Sequence, residues 1–331
     1  MNYRRFGRTG WKVSEVGYGM WGLAGWTGSD EKETMQSLHR AVELGCNFFD
    51  TAWAYGDGNS EQILAKILKE YKNNSGAGGP DKHLYVATKI PPKNRRWPST
   101  RTFTLDDCFP PDYVEEYIER SLKNLSVDTI DLMQFHTWED RWLNDERLPL
   151  SIEKMKKSGK VRAFGPSMNR WEPANGIRAV LEGYADAVQV IYNIFDQNPE
   201  DALFPICRRK ETAVIARVPF DEGTLTGTLT VDSKWPSEDW RNTYFVPENL
   251  TSSVAHAEGL RPLIPAGSTM AEIALRFILN NPDVSTTIPG MRKIKNVEAN
   301  CAASAAGPLP SELQKKLRAH RWDRNPTSWS Q

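Results

Sequence analysis

Long apolar runs and an excess of charge of either sign are both missing from this sequence. No stretch approaches the roughly 18 apolar residues that a membrane-spanning helix requires, so we expect no membrane association. Lysine plus arginine and aspartate plus glutamate number 42 each, and the formal net charge is zero. Because neither sign dominates, we expect no nucleic-acid partner. Residues 1–10 carry basic side chains but no apolar segment, unlike a secretory signal.

Cysteines are few and lie far apart in the chain. The four, Cys46, Cys108, Cys207 and Cys301, form no C-x-x-C pair, which argues against a disulfide framework and against a zinc site. Such usage is typical of a reducing compartment, so we expect a cytoplasmic protein without a bound metal. No G-x-G-x-x-G follows an apolar strand, which disfavours a Rossmann dinucleotide-binding fold.

What the chain does contain is a repeated alternation of short apolar strands and amphipathic helices. The strands read as near-continuous apolar runs, as strands buried on both faces do, and eight such units in one chain predict a closed (β/α)8 barrel rather than an open sheet. We expect one barrel domain over residues 1–331. The predicted strands are 16–21, 47–50, 84–89, 129–136, 161–165, 187–191, 213–217 and 284–288.

Several segments lie outside this alternation. Residues 1–13 read as a hairpin, and an extra helix is predicted over 309–320. Three long loops follow strands, at 91–111, 138–149 and 218–265. In this fold such loops rise from the face where strands end, which is where substrate choice is set.

Residues 46–56 join a buried strand to a polar loop. Phe48 and Phe49 lead directly into Asp50, and Tyr55 follows five residues later. A carboxylate at the end of a buried strand is poorly solvated unless a cation pairs with it. Asp50 is therefore either a cap for the next element or half of an ion pair.

Polar side chains also end the following strands, with Lys89 closing one and His136 the next. Lys89 can pair with Asp50 in the barrel mouth, and its charge would lower the pKa of Tyr55 from about 10. A lone His136 would more simply be structural, but it can also donate to a substrate oxygen. Such a group moves a proton and polarises a carbonyl, whereas a redox role needs a cofactor.

The order Asp50-Thr51-Ala52-x-x-Tyr55-Gly56, then Lys89, then His136 resembles the aldo-keto reductase superfamily over nearly the whole chain. The resemblance implies an NAD(P)H-dependent reductase of aldehydes or ketones. It implies that Tyr55 is the general acid, Lys89 the modulator of its pKa, Asp50 the partner of Lys89, and His136 the group that orients the carbonyl.

The resemblance also implies a cofactor site that follows the ends of the remaining strands. It favours NADPH, through Arg292 at the adenosine phosphate, with NADH possible; Ala299 replaces the acidic residue of the usual helix signature. Arg217 stands where many members stack an aromatic ring on the nicotinamide. The implied cofactor residues are Gly19, Met20, Trp21, Asp50, Ser167, Met168, Asn169, Gln189, Arg217, Val218, Pro219, Phe220, Gly223, Thr226, Gly227, Ile288, Gly290, Arg292, Asn296 and Asn300.

The chain is rich in tryptophan, with 12 in total, and many fall in the long loops. We expect Trp21, Trp53, Trp97 and Trp138 to line an apolar cleft for a small carbonyl substrate. Some of these rings would instead pack the loops against the barrel.

Two roles remain possible for several other side chains. Arg95 and Arg96 form a solvated loop tip or meet an acidic substrate, and the tail 321–324 either covers the site or fixes the last helix. No helix face indicates an oligomeric state.

The competing functions are a regulatory or sensor barrel that binds the cofactor without turnover, and a barrel hydrolase or lyase without nicotinamide. The presence of Asp50, Tyr55, Lys89 and His136 together argues against a binding protein without turnover. The match at Gln189 argues against a hydrolase or lyase without nicotinamide.

Overall fold

The computed structural model describes residues 1–23, 30–72 and 76–330. It begins with an antiparallel hairpin of β1 (Tyr3–Arg5) and β2 (Lys12–Ser14), in which Tyr3 lies opposite Ser14. The predicted N-terminal hairpin is therefore confirmed.

Eight further strands in the described part of the chain are parallel to their neighbours. β3 to β7 form one sheet in sequential order, and β8 to β10 form a second. These strands are β3 (Tyr18–Gly19), β4 (Phe48–Asp50), β5 (Tyr85–Ile90), β6 (Ile130–Phe135), β7 (Val161–Pro166), β8 (Ala187–Ile191), β9 (Ala213–Arg217) and β10 (Thr286–Thr287).

Isolated parallel bridges join the two sheets at both edges. Ser167 pairs with Gln189, next to a hydrogen bond of 2.8 Å from Met168 N to Gln189 O. At the other edge Val16 pairs with Thr287, and Gly17 N donates to Thr287 O at 2.8 Å. These bridges complete the ring of eight strands, so the prediction of a (β/α)8 barrel is confirmed.

Helices follow the barrel strands, and one extra helix, α12, ends the regular structure as predicted. α3, α8 and α9 lie within the long loops. The helices are α1 (Glu31–Glu43), α2 (Asn59–Tyr71), α3 (Leu105–Cys108), α4 (Pro111–Leu125), α5 (Arg147–Lys157), α6 (Ile177–Leu181), α7 (Leu203–Lys210), α8 (Arg241–Tyr244), α9 (Pro247–Leu260), α10 (Met270–Leu279), α11 (Ile294–Ala305) and α12 (Ser311–Arg318).

The predicted long loop 218–265 contains the 14-residue helix α9. Its buried face includes Leu250, Ala257 and Leu260. The spacing of these residues is helical, but Ser253 and Ala257 are too small to make the apolar stripe stand out in the sequence.

Alternation along the strands decides which side chains point into the barrel. Ala87, Leu132 and Ala187 belong to the inner apolar cluster, and two residues further along each strand stand Lys89, Gln134 and Gln189. The hairpin closes the opposite end, where buried Phe6 lies 5.4 Å from Phe48 between ring centroids. The barrel interior is thus apolar at its amino end and polar at its carboxyl end.

Candidate active site

Asp50 and Lys89 form a buried ion pair at the carboxyl end of the barrel. Asp50 ends β4, Lys89 lies on the adjacent strand β5, and Lys89 Nζ is 2.6 Å from Asp50 Oδ2. Nζ also donates to Thr51 O at 2.8 Å. Burial lowers the pKa of Lys89, but Asp50 and Tyr55 outweigh this and raise it above its ordinary value. The lysine is therefore a charged ammonium at neutral pH, and Asp50 is paired rather than a cap.

The second carboxylate oxygen of Asp50 is held by two glutamine amides. Gln189 Nε2 donates to Asp50 Oδ1 at 2.7 Å, and Gln134 Nε2 donates to the same atom at 3.3 Å. Gln134 was not predicted as a site residue. Its position two residues before His136 could have identified it, because side chains two residues apart on a strand point to the same side of the sheet. The predicted role of Gln189 at the nicotinamide amide stays a prediction.

Tyr55 lies in the loop after β4 with its phenol beside Lys89. Tyr55 Oη is 3.4 Å from Lys89 Nζ, and Nζ lies 5.0 Å from the ring centroid. Burial raises the pKa of Tyr55, Lys89 lowers it, and the net pKa lies above the ordinary value of 10.0. The expectation that Lys89 brings this pKa below 10 is therefore wrong, because desolvation of the phenolate outweighs the attraction of one cation. The phenol is protonated at neutral pH.

His136 directly follows β6 and completes the predicted set. Its ring meets that of Tyr55 edge-on at 5.6 Å and that of Trp97 at the same distance. Burial, with Lys89 and Arg217, holds the pKa of His136 well below its usual range. The imidazole is therefore neutral, with one N–H donor, and its buried Nδ1 has no hydrogen-bond partner.

The turn after β7 carries Ser167, Met168 and Asn169, all of which are buried. Asn169 Oδ1 accepts from Thr137 Oγ1 at 2.6 Å, and Asn169 Nδ2 donates to Trp138 O at 3.1 Å. These bonds fix the turn against the loop that follows His136. A cofactor role for the three residues stays a prediction.

The residues after β3 lie against Asp50 through the main chain. Met20 N donates to Asp50 O at 2.9 Å, and Gly19 N donates to Pro289 O at 3.0 Å. Trp21 is 39% exposed and meets Trp240 edge-on at 5.0 Å. This places the first and eighth strands beside the Asp50 site.

Arg217 ends β9 and is half-buried in the barrel mouth. Arg217 Nη2 donates to Met168 O at 3.0 Å, while the buried Nε has no partner. Burial and the neighbouring Arg170 lower the pKa of Arg217 to about 10, so the guanidinium is still charged at neutral pH.

The segment after Arg217 is an irregular turn rather than a regular helix. Val218 and Glu222 have φ values of 55° and 57°, and Gly223 reaches 114°. A Cβ at Gly223 would have no neighbour within 4 Å. The predicted cofactor residues Pro219, Phe220, Thr226 and Gly227 lie on the same turn.

The last predicted cofactor residues follow β10 and lie on α11. Ile288 and Gly290 come directly after the strand, and a Cβ at Gly290 would have no neighbour within 4 Å. Asn296 and Asn300 are on the helix, and the buried Nδ2 of Asn300 has no partner.

Three of the predicted catalytic and cofactor residues carry a buried nitrogen without a hydrogen-bond partner. These atoms are His136 Nδ1 after β6, Arg217 Nε at the end of β9 and Asn300 Nδ2 on α11. Such a set suits a long polar and anionic ligand such as a nicotinamide dinucleotide.

The four predicted pocket tryptophans have different environments. Trp97 packs edge-on against His136 at 5.6 Å, whereas Trp53 packs edge-on against Tyr117 at 4.9 Å. Trp138 is fully buried and its Nε1 donates to Asp140 Oδ1 at 2.8 Å. The prediction that Trp138 lines the substrate cleft is therefore wrong, because its ring packs the loop onto the barrel core.

Residues 1–23, 30–72 and 76–330 contain neither a membrane-spanning helix nor a cluster of metal ligands. No helix there has the length and apolar character needed to cross a membrane. No three His, Cys, Asp or Glu side chains there are arranged to hold a metal ion.

Comparison with known proteins identifies a family over most of the chain. A model of the Aldo/keto reductase family matches residues 15–321. Aldo-keto reductase YhdN of Bacillus subtilis (strain 168) is 29% identical over 323 residues, covering 96% of this chain and 92% of that protein. The NADH-specific methylglyoxal reductase of Escherichia coli (strain K12) is 28% identical, with 90% and 91% covered.

Solved structures agree with the fold. The glycerol dehydrogenase AKR11B4 from Gluconobacter oxydans superposes with a TM-score of 0.75 at 26% identity, covering 96% of this chain and 94% of that chain. The holo form of aldo-keto reductase AKR11C1 from Bacillus halodurans also reaches 0.75, at 24% identity and 100% coverage of both chains.

Proposed function

Since the chain belongs to the aldo/keto reductase family, and is thus an oxidoreductase that reduces carbonyl groups with a nicotinamide cofactor, we propose that Tyr55 is its general acid. The observation that carries this proposal is the contact of a protonated phenol with the buried Lys89–Asp50 pair, at 3.4 Å from Nζ. A protonated Tyr55 is the form that a reductase needs.

In this proposal Tyr55 Oη gives its proton to the substrate carbonyl oxygen as the carbonyl carbon is reduced. A nicotinamide cofactor, when bound, would supply the hydride for that carbon. Lys89 stabilises the phenolate that remains, because its ammonium stays 3.4 Å from the oxygen. Neutral His136 donates a hydrogen bond that orients the same carbonyl oxygen.

Asp50 acts on the reaction through Lys89. Two glutamine amides and the Lys89 ammonium occupy both of its oxygens. A carboxylate held on both sides keeps the lysine in one position beside Tyr55, which favours a preorganised site.

We propose NADPH as the preferred cofactor, with NADH able to bind. Arg292, two residues before the start of helix α11, can bind a 2′-phosphate through two parallel hydrogen bonds. Relatives are named for either cofactor. Aldo-keto reductase yakc of Schizosaccharomyces pombe (strain 972), which is 28% identical over 299 residues, carries NADP(+) in its name. The E. coli methylglyoxal reductase is named NADH-specific.

We also propose a cytoplasmic location and a small aldehyde or ketone as substrate. All four cysteines are buried free thiols, which suits a reducing compartment. Trp21 and Trp97 border the mouth and would give the substrate an apolar surface.

A titration with two cofactors tests the proposal. Quenching of tryptophan fluorescence should give a lower Kd for NADPH than for NADH, and NADPH should then be oxidised with part of an aldehyde and ketone panel. An Arg292→Leu variant should lose about 10- to 100-fold in NADPH affinity with little change for NADH. Tight binding with no turnover across the panel would favour the sensor function, and no binding of either cofactor would reject both.

A further inference from the structure

The turn that carries Tyr55 is closed by its own main chain. Gly58 N donates to Trp53 O at 2.7 Å, and Ser60 N donates to Tyr55 O at 3.1 Å. Trp53 N donates to Lys89 O at 3.2 Å, which joins the start of the turn to β5. The phenol itself reaches Lys89 Nζ only at 3.4 Å. A shift of the turn by about 1 Å would therefore break this contact.

Arg95 contacts this turn on both sides of Tyr55. Its guanidinium carbon lies 4.9 Å from the ring centroid of Trp53, two residues before Tyr55. Its Nη1 lies 3.9 Å from Oδ1 of Asp57, two residues after Tyr55. Arg95 belongs to the loop that follows β5, so this loop reaches across to the loop that follows β4.

The guanidinium is itself held by helix α4. Arg95 Nη2 donates to Tyr117 Oη at 2.9 Å, and buried Tyr117 meets the ring of Trp53 edge-on at 4.9 Å. The exposed ion pair with Asp57 contributes little alone. A planar guanidinium that lies over an aromatic ring and also bonds a buried hydroxyl is restricted to one position. Trp53 is therefore fixed between a helix and a loop.

The same loop also meets His136, the second group proposed to contact the carbonyl. Trp97, two residues after Arg95, packs edge-on against His136 at 5.6 Å between ring centroids. Arg95 has a φ of 53°, which is uncommon for a residue other than glycine, and its N donates to Pro92 O at 2.9 Å. A single tight loop thus contacts the surroundings of both Tyr55 and His136.

We propose that Arg95 is a positioning residue for Tyr55, which holds the turn 53–58 so that the phenol stays beside Lys89. This inference rests on the proposed role of Tyr55 as general acid and adds the residue that maintains its geometry. Arg95 acts through the turn rather than on the substrate, so its loss should lower kcat and leave NADPH binding unchanged.

A competing role for Arg95 is to bind an acidic substrate from the tip of its loop. Such a role would raise KM for acids alone, whereas a positioning role lowers kcat for acids and neutral aldehydes alike. A merely structural role would lower the stability of the protein and leave the kcat of the folded protein unchanged.

The test compares kcat and KM for 4-nitrobenzaldehyde and 4-carboxybenzaldehyde. Arg95→Leu should lower kcat about 5- to 50-fold with both substrates, as expected for the loss of a cation–π contact and one hydrogen bond. KM and the Kd for NADPH should change less than about threefold. Arg95→Lys should restore part of kcat, because the charge returns without the planar group. Arg96→Leu removes the exposed neighbouring arginine and, as the matched control, should keep the wild-type kcat.

A double-mutant comparison separates positioning of the acid from every other effect. In a Tyr55→Phe background, Arg95→Leu should lower kcat less than about twofold, because no proton donor remains to be positioned. Tyr117→Phe, in the protein that keeps Tyr55, should reproduce part of the Arg95→Leu loss, because it removes the hydroxyl that holds the guanidinium.

The inference is overturned if folded Arg95→Leu keeps the wild-type kcat, if only the acid loses activity, or if the effect is undiminished without the Tyr55 hydroxyl. Should Arg95→Leu fail to fold, Arg95→Lys and Tyr117→Phe decide, and a wild-type kcat in both overturns it. Failure of the proposed function would look different, since Tyr55→Phe would then keep the wild-type kcat or no aldehyde would oxidise NADPH.

Discussion

The acidity of Tyr55 is decided at the residue scale by two opposing effects. Lys89 favours the phenolate, and burial disfavours it, with burial the larger of the two. The net result is a phenol that keeps its proton until it meets a better acceptor. For a group that must donate a proton during reduction, this direction is useful, because the acid form is fully populated at neutral pH.

Removal of the phenol hydroxyl should abolish proton donation and little else. Tyr55→Phe is expected to lower kcat by about 10²- to 10⁴-fold, the usual contribution of a positioned acid, because the ring remains against His136. Kd for NADPH, measured by fluorescence quenching, should change less than about threefold. A large loss of NADPH affinity in this variant would contradict the assignment of Tyr55 as an acid.

The pH dependence of reduction follows from the same two pKa directions. The active phenol is protonated and its pKa is raised above 10.0, so kcat should fall only as the pH rises through that value. The pKa of His136 lies well below 6.5, so its neutral form persists through the acid side. We therefore expect a flat kcat from about pH 6 to pH 9. A decline in kcat between pH 7 and 8 in steady-state assays would refute this.

At the scale of elements, the barrel closes where β3 approaches the segment after β10. Gly19 lies so near this segment that a Cβ would be 2.5 Å from Ile288 O. On the other side of β3, Met20 N donates to Asp50 O and continues the pairing with β4. Glycine is required here because a side chain would not fit. Its backbone conformation is not the reason, since its φ lies outside the left-handed region.

Gly19→Ala should therefore force the first and eighth strands apart. We expect a loss of about 1–3 kcal/mol in the free energy of unfolding, as for other overpacked sites, measured by urea denaturation without cofactor. Gly290→Ala is the matched control, because a Cβ there meets nothing within 4 Å. Equal effects of the two substitutions would show that the close approach is not what requires glycine.

At the scale of the whole molecule, the C-terminal tail ties distant segments together above the barrel. Arg324 is buried and forms ion pairs with Asp196 and Asp221, the latter at 2.7 Å. Its guanidinium lies 4.7 Å from the ring centroid of Trp171 and 4.5 Å from that of Trp322. The tail thus fixes the turn that begins at Asp221, which carries several predicted cofactor residues.

Loss of this arginine should leave two buried carboxylates without a cation. Arg324→Met is expected to cost about 3–5 kcal/mol of stability near pH 8. Burial already raises the pKa of Asp196 to about 6 despite Arg324, and without the arginine its pKa would rise further. Because protonation removes the buried charge, the destabilisation should shrink as the pH falls towards 5. Thermal denaturation at several pH values measures this difference.

Arg321→Met is the control for the same tail. Arg321 pairs with Asp201 and Asp323 at the surface, where ion pairs contribute little, so we expect less than about 1 kcal/mol. If both variants were equally destabilised at every pH, the buried position of Arg324 would have no special role.

The sequence by itself determined the eight strands, the end of the barrel that carries polar groups, and the pairing of Asp50 with Lys89. These follow from local periodicity, because alternation along a strand fixes which side chains share the interior. The same rule would have found Gln134, which reaches Asp50 from β6, two strands away in the sheet.

Only the tertiary structure decided the direction of the Tyr55 pKa, the burial of Trp138, and the pairing of Arg324 with carboxylates more than 100 residues away in the chain. It also left Arg217 Nε buried without a hydrogen-bond partner. Desolvation and ion pairing depend on distances in space, and packing between segments far apart in sequence sets those distances. Spacing along the chain therefore identified the reacting groups, and three-dimensional packing set their charge states.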